Sequence, residues 1–470
     1  MRVRGICKRA AAVVLAAVCM LTAAPLQVQA EVYWPEGPGV SCPSAIVMEV
    51  NTGTVLYAKK SHKKRYPASI TKILTALLAV ESCGMDETVV FSADAVYKNE
   101  GDTSNIARDL NEEMTMEQCL YAVMLESANE CAYAVAEHIG QKQGGDYSTF
   151  IEMMNARASA LGCKDTHFNN CNGLPDEEHW TSAYDMALIA AEAYRNETFR
   201  IITGSESYTI PPTNKHKDPT PCHNHHKMVY PWRGDSHYLW ENVTGGKTGY
   251  TTAAKNTLVT YAEKDGLSLV CVVMNADTPN HYTDTRTLLD YCFDNFQALN
   301  ISENETSLAN GSLGNTGVLN DYGPFVALDE NAYIVIPKAA EFADAVVELD
   351  QDTADGGTLA RLQYTYGKRV VGHAEIAATG ARVEESYFEK QKPEIPVDEN
   401  VRVIEIKPEM LALAALILAA FIVLIHLGKS FYDNYYVIRH KRKVKKAQKE
   451  RFKVKVHKKR YRKKDRMFKS

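Results

Sequence analysis

Two apolar segments, one at each end, confine whatever folds to the stretch between them. The first follows Arg2, Arg4, Lys8 and Arg9, runs from Ala10 to Ala24 and gives way to Val28-Gln29-Ala30. Basic, then apolar, then small-x-small is the order of an export leader, and the apolar run is short for a bilayer span, so residues 1–30 read as a signal peptide. The second segment, residues 410–427, is interrupted only by His426 and has the length of a minimal transmembrane helix. Behind it, Lys429 to Ser470 carries 19 Lys and Arg against 3 acids, which keeps that end in the cytoplasm. The expectation is a single-pass membrane protein with its folded part outside the cell. Residues 401–409 are the connector to the span, and residues 428–470 are a basic cytoplasmic tail.

The formal charge of −5 hides an asymmetry. Setting aside the tail's +16 and the leader's +4 leaves residues 31–428 near −25. So acidic an ectodomain repels polyanions, and the tail has no folded reader of bases, which excludes nucleic acid as a partner and leaves anionic lipid as the tail's natural contact. Of 11 cysteines, Cys7 and Cys19 leave with the leader. The odd number remaining cannot pair completely, and most are expected to be small core hydrophobes, with room for one or two disulfides.

Between the ends, the apolar residues around Asn51-Thr52-Gly53 predict two strands joined by a tight turn. Ile73, Leu74, Leu77, Leu78 and Val80 predict a buried helix opening near Ser69. Thr115-Met116-Glu117-Gln118 has the form of a capping box, and its helix should stop near Glu126. A further helical pattern takes up Ala132, Val135, Ala136 and Ile139, which makes residues 127–130 an inter-helix connection. Strands return at 258–262 and 267–274 around Asp265-Gly266, followed by a helix over 283–296. Strands at both ends of a helical middle predict an α+β domain over residues 31–300 with one sheet completed by distant parts of the chain. From 301 to 400, short β-type runs such as 333–336 and 370–377 predict a small β-rich domain.

Ser69-Ile70-Thr71-Lys72 puts a hydroxyl and an amine on one face of one helical turn. Serine is inert at neutral pH until a base takes its proton, and a lysine kept neutral by burial and nearby positive charge can be that base. Alone the pattern recurs by chance. Ser127-Ala128-Asn129 alone would be a polar helix junction, and Lys247 alone a solvated strand lysine. The order is what counts: Ser-x-x-Lys opening a helix, Ser-x-Asn between two helices, and Gly246-Lys247-Thr248-Gly249 on a strand.

With these residues the chain resembles the low-molecular-weight penicillin-binding proteins, the D-alanyl-D-alanine carboxypeptidases, over residues 40–400. The likeness extends to Pro67-Ala68, Leu161-Gly162 through Gly173-Leu174, residues 181–185, and Tyr250-Thr251. The resemblance implies a penicillin-binding/β-lactamase-like transpeptidase domain, an antiparallel sheet with a helical lobe, followed by the β-rich domain and one C-terminal transmembrane helix. It implies Ser69 as nucleophile, Lys72 as base and Ser127 as proton relay. Asn129, Lys247, Thr248, Gly249 and Tyr250 would bind substrate, with the N–H groups of Ser69 and Tyr250 holding the oxyanion. Peptidoglycan stem peptides would be substrates and β-lactams covalent inhibitors, with no cofactor and no metal. Other uses of the same serine stay open: a slowly turning over penicillin sensor or wall-binding module, a DD-endopeptidase, or a β-lactamase.

Three features sit apart from the pattern. Ala128 and Glu130 stand where the family commonly has Gly and Asp, and are expected to tune substrate preference. Asp165-Thr166-His167-Phe168-Asn169 mimics the acid-x-x-x-Asn spacing of a β-lactamase deacylating loop. His216, His223, His225, His226 and His237 could suggest zinc, but their polar, proline-punctuated context predicts a surface loop near the site.

Overall fold

The computed structural model describes residues 32–99, 103–305, 326–350 and 358–378. The leader, the connector, the apolar segment 410–427 and the tail fall outside the described residues, among which no helix is long and apolar enough to cross a membrane.

The predicted turn joins β1 (Ser44–Glu49) to β2 (Val55–Lys59). The Glu49 carboxylate is fully buried and gathers the Asn51 and Thr52 N–H groups and the Thr52 hydroxyl, so the polar turn is satisfied without water. Far along the chain come β3 (Val243–Thr251), β4 (Lys255–Lys264) and β5 (Leu267–Ala276). All five form one antiparallel sheet in the order β2-β1-β5-β4-β3. The predicted completion of the sheet by both ends of the segment follows, and β3 is left as an edge strand.

On one face of this sheet lies a helical lobe built around α1 (Lys72–Ser82), preceded by a 3₁₀ turn over Ala68–Thr71. Residues 72–79 of α1 are all buried, which is why its apolar pattern is too broad for one stripe. Ile73, Leu74, Leu77 and Leu78 are at most 4% exposed, and each contributes about 1.5–3 kcal/mol of burial. The capping box forms as predicted: Thr115 Oγ1 accepts from the Gln118 N–H at 3.2 Å, and Gln118 Oε1 from the Thr115 N–H at 3.0 Å. Its helix, α2 (Met116–Tyr121), passes into a π-helical turn over Ala122–Glu126. The following helix, α3 (Asn129–Lys142), starts earlier than its apolar periodicity suggests, because Asn129 and Glu130 are buried by the lobe and join the first turn. Only Ser127 and Ala128 remain as the connection.

On the other face lies α4 (Asn280–Asn295). A second antiparallel sheet begins directly after it with β6 (Phe296–Asn300), inside the stretch assigned to the first domain. Adding β7 (Val326–Leu328), β8 (Tyr333–Pro337), β9 (Val346–Asp350), β10 (Thr358–Tyr366) and β11 (Arg369–Ala378) gives the order β6-β8-β11-β10-β9, with β7 paired to β11. This sheet has its own core of Ile334, Ile336, Leu362, Tyr364 and Ile376. The Tyr333 hydroxyl donates to Glu49 at 2.6 Å, tying it to the first sheet.

All nine cysteines in the described residues are free, and seven are buried. Burial pushes most of these thiols upward, Cys42 to about 12, so they are protonated core groups. The room left for a disulfide is not used.

Candidate active site

The 3₁₀ turn decides the nucleophile's geometry. Three residues per turn eclipse side chains at i and i+3, so Ser69 and Lys72 stack in parallel and bring Oγ to 3.1 Å from Nζ. The turn is held from both sides: Thr257 Oγ1 on β4 donates to Pro67 O at 2.7 Å, and Gly249 on β3 and Gly173 press against it. A Cβ at Gly173 would lie 1.8 Å from Ala68 O, and one at Gly249 would lie 2.9 Å from Ser69 N, so only glycine admits the chain at either place. Ala68 itself has φ +52°, strain stored one residue before the nucleophile.

Lys72 is fully buried, and its Nζ donates to Asn129 Oδ1 and to the Asn172 carbonyl, both at 2.6 Å. Burial first, then the charge of Lys247, hold its pKa well below that of an ordinary lysine. A neutral amine has two N–H bonds and one lone pair. Two acceptors take the N–H bonds, and the lone pair is left for the Ser69 proton.

Lys247 lies on β3, also buried, and burial lowers it to about 7 against the opposing charge of Glu126. Its Nζ and the Ser127 Oγ have no hydrogen-bond partner among the described residues. Two unsatisfied buried polar atoms carry a real cost, of about 1–3 kcal/mol each, which a ligand would remove. Ser127 has φ +60°, set by the abrupt end of the π-helical turn. Ser69, Ser127, Asn129, Thr248, Gly249 and Tyr250 line one cleft of about 940 Å³. The structure thus brings together all the sequence-predicted residues, with Lys72 and Lys247 buried in its supporting wall.

Sequence reasoning missed Asn172, which acts through its main chain and leaves no side-chain signal beyond the Asn172-Gly173 pair. It also missed Glu126, whose carboxylate sits 2.9 Å from His225 Nε2 and accepts from the His223 N–H at 2.6 Å.

The histidine-rich stretch is not simply a polar surface loop. His226 is 1% exposed, bonded to Thr260 Oγ1 at 2.8 Å, and pushed to about 3 by burial, then by His281 and Lys247. The packing of this segment under β3 overrides its polar composition. His216 pairs instead with the buried Glu112 at 3.0 Å, in a group with Asp109 whose ligand atoms lie within 4.8 Å of one another, and no three of the five histidines meet in one cluster among the described residues. Ala128 and Glu130 do not line the cleft either: Glu130 Oε1 turns away to accept from the Ile106 N–H at 2.6 Å. Asp165 is also outside it, 3.4 Å from His62 Nδ1, with its N–H on Asp185. The deacylating-loop mimic is therefore a spacing without the matching geometry.

A family model described as D-alanyl-D-alanine carboxypeptidase matches residues 31–278, which contain every residue of this cleft's catalytic set. The chain belongs to the D-alanyl-D-alanine carboxypeptidase family. Within that family it is 35% identical over 263 residues to the D-alanyl-D-alanine carboxypeptidase DacF of Bacillus subtilis, covering 54% of this chain and 62% of that one. To DacA of Haemophilus influenzae it is 26% identical over 358 residues, covering 72% and 84%. Among solved structures, the Streptomyces K15 DD-transpeptidase superposes with a TM-score of 0.50 at 27% identity, covering 55% of this chain and all of that one. Penicillin binding protein 5 from Haemophilus influenzae shares the fold over 73% of this chain, with a TM-score of 0.56 at 24% identity. The family's penicillin-binding fold of antiparallel sheet and helical lobe is thus the fold of this chain.

Proposed function

We propose that the chain is a serine-type carboxypeptidase that removes the terminal D-alanine from peptidoglycan stem pentapeptides, and that it works outside the cell from a membrane anchor. The observation that carries the reading is the buried Lys72 amine, 3.1 Å from Ser69 Oγ with both its N–H bonds engaged elsewhere.

Ser69 Oγ attacks the carbonyl carbon of the penultimate D-alanine as its proton passes to Lys72 Nζ. The N–H groups of Ser69 and Tyr250 hold the oxyanion. Collapse breaks the peptide C–N bond as Ser127 passes its proton to the departing amine and takes in return the proton held on Lys72, which leaves Lys72 neutral again. Lys247 and Thr248 hold the terminal carboxylate, and Asn129 both orients Lys72 and holds the peptide backbone. Water then hydrolyses the ester on Ser69. A β-lactam presents the same carbonyl and carboxylate and acylates the same oxygen.

The test is D-alanine release from a synthetic stem pentapeptide, with and without one equivalent of a β-lactam. Release that stops on stoichiometric acylation supports the reading. No release, despite penicillin uptake, would favour the sensor.

Lys247 predicts the pH profile. Lowered to about 7, it is protonated below that pH and loses the proton as pH rises. Its attraction for a carboxylate is therefore present below about 7 and lost above, and kcat/KM should fall toward tenfold per pH unit on the alkaline side. A peptide ending in a carboxamide should lack that limb, and a profile identical for both peptides would contradict the assignment.

The leader at 1–30 and the apolar segment 410–427 with its basic tail support export and anchoring. A chain ending at residue 409 should appear in the culture medium. Its retention with the membrane fraction would count against the anchor.

A further inference from the structure

The two helices that open on the site, α1 at Lys72 and α3 at Asn129, end beside one another one helix length away from it, where Lys142 Nζ donates to the Ser82 carbonyl at 2.9 Å. At that junction Cys83 caps α1, Glu87 stands just ahead of a short strand over Thr88–Val90, and His138 and Lys142 lie one turn apart on α3. Cys83 Sγ, a Glu87 carboxylate oxygen and His138 Nε2 are all within 4.8 Å of one another, and each of the three side chains is partly exposed. His138 Nε2 is 2.9 Å from Glu87 Oε2, and Lys142 Nζ donates to Glu87 Oε1 at 2.5 Å.

The serine chemistry makes no use of this group, and packing explains Cys83 poorly. Seven of the nine cysteines are buried, whereas Cys83 stands half-buried among charged side chains. Burial, then the Glu87 charge, raises its thiol to about 11, and a protonated thiol is a weak partner for a carboxylate and an imidazole. The position itself favours a cation. Helices of 11 and 14 residues bring their last carbonyls to this junction, and the last turn of α1 has no basic residue to meet them.

A thiolate, an imidazole and a carboxylate together are a donor set for zinc. Donors held tetrahedrally at about 2.0–2.3 Å from zinc stand about 3.3–3.6 Å from one another. The three ligand atoms are already inside a 4.8 Å spread, and the contact between His138 and Glu87 has only to open slightly. A second triad, Asp109, Glu112 and His216, is a poorer host, because Arg108 already holds Glu112 at 2.9 Å and repels another cation.

We propose that Cys83 Sγ, Glu87 Oε2 and His138 Nε2 bind one zinc ion, with water as the fourth ligand, and that the ion clamps the end of α1 to α3. Zinc takes the place of the hydrogen between His138 and Glu87, and the Cys83 thiol gives up its proton to solvent. Glu87 Oε1 keeps Lys142. The ion takes no part in the reaction at Ser69 and acts on the stability of the helical lobe.

The experiment titrates the full chain, stripped of metal by a chelator and kept reduced, with Co²⁺ as a spectroscopic stand-in and then with Zn²⁺. The expected result is a cobalt–thiolate absorption band that saturates at one ion per chain and is bleached by an equal amount of zinc. Cys83→Ser should abolish the band, and His138→Gln should weaken zinc binding about 100-fold, the share of one ligand in the affinity of a zinc site. His216→Gln should change neither. Zinc at 100 times its dissociation constant should raise the unfolding midpoint by about 5 °C or more in the wild type and leave it unmoved in Cys83→Ser. No thiolate band, a band that survives in Cys83→Ser, or a zinc affinity unchanged in His138→Gln overturns the site, and so does an equal thermal shift in the wild type and Cys83→Ser.

Discussion

A Ser69→Ala chain is expected to take up no penicillin and to lose about 10,000-fold or more of its D-alanine release, the scale on which nucleophile loss reads in serine hydrolases. The change deletes one oxygen from a turn whose position is fixed elsewhere, by Thr257 on the Pro67 carbonyl and by the close approach of Gly173 and Gly249. Stability should therefore move by less than about 1 kcal/mol. Intact-mass analysis after exposure to a β-lactam, with thermal unfolding beside it, reads both at once. Acylation of the variant at any residue would show that the cleft has another nucleophile and would end the assignment of Ser69.

The second large effect is expected from Lys72→Arg. Arginine keeps the reach and the N–H donors, but a guanidinium stays protonated at any working pH and has no lone pair to offer the serine proton. Acylation should slow by about 100- to 10,000-fold, the range assigned to loss of general-base catalysis. Burying a permanent charge beside the buried Lys247 costs stability, so Lys72→Met serves as the neutral companion: it keeps the volume and loses the base. Stopped-flow acylation by a chromogenic β-lactam is the measurement. A rate within tenfold of wild type in either variant would show that another group takes the Ser69 proton.

How much of this was legible follows from how far each signal reaches along the chain. The capping box at Thr115 and Gln118 involves contacts three residues apart, and it forms as written. Ser69 and Lys72 are read the same way, since a spacing of three is the period of the turn that leads from Ser69 into Lys72, the first residue of α1. The meeting of these with Ser127 and Lys247 is not local, and only the order of motifs foretold it. The burial of His226 was illegible, because Thr260 and the underside of β3 reach it from remote sequence. So was the outward turn of Glu130, whose partner is the Ile106 backbone. The helix starts at Asn129, ahead of its apolar period, for a related reason: polar residues break such a period, yet here the lobe buries them.

The contact between Lys72 and the carbonyl of residue 172 has a consequence for how such enzymes diversify. A peptide oxygen belongs to every amino acid, so no point change at that position can delete it. What is inherited there is the route of the chain, preserved by the glycine that follows, and a comparison of side chains among relatives would pass over one of the two groups that keep the amine reactive.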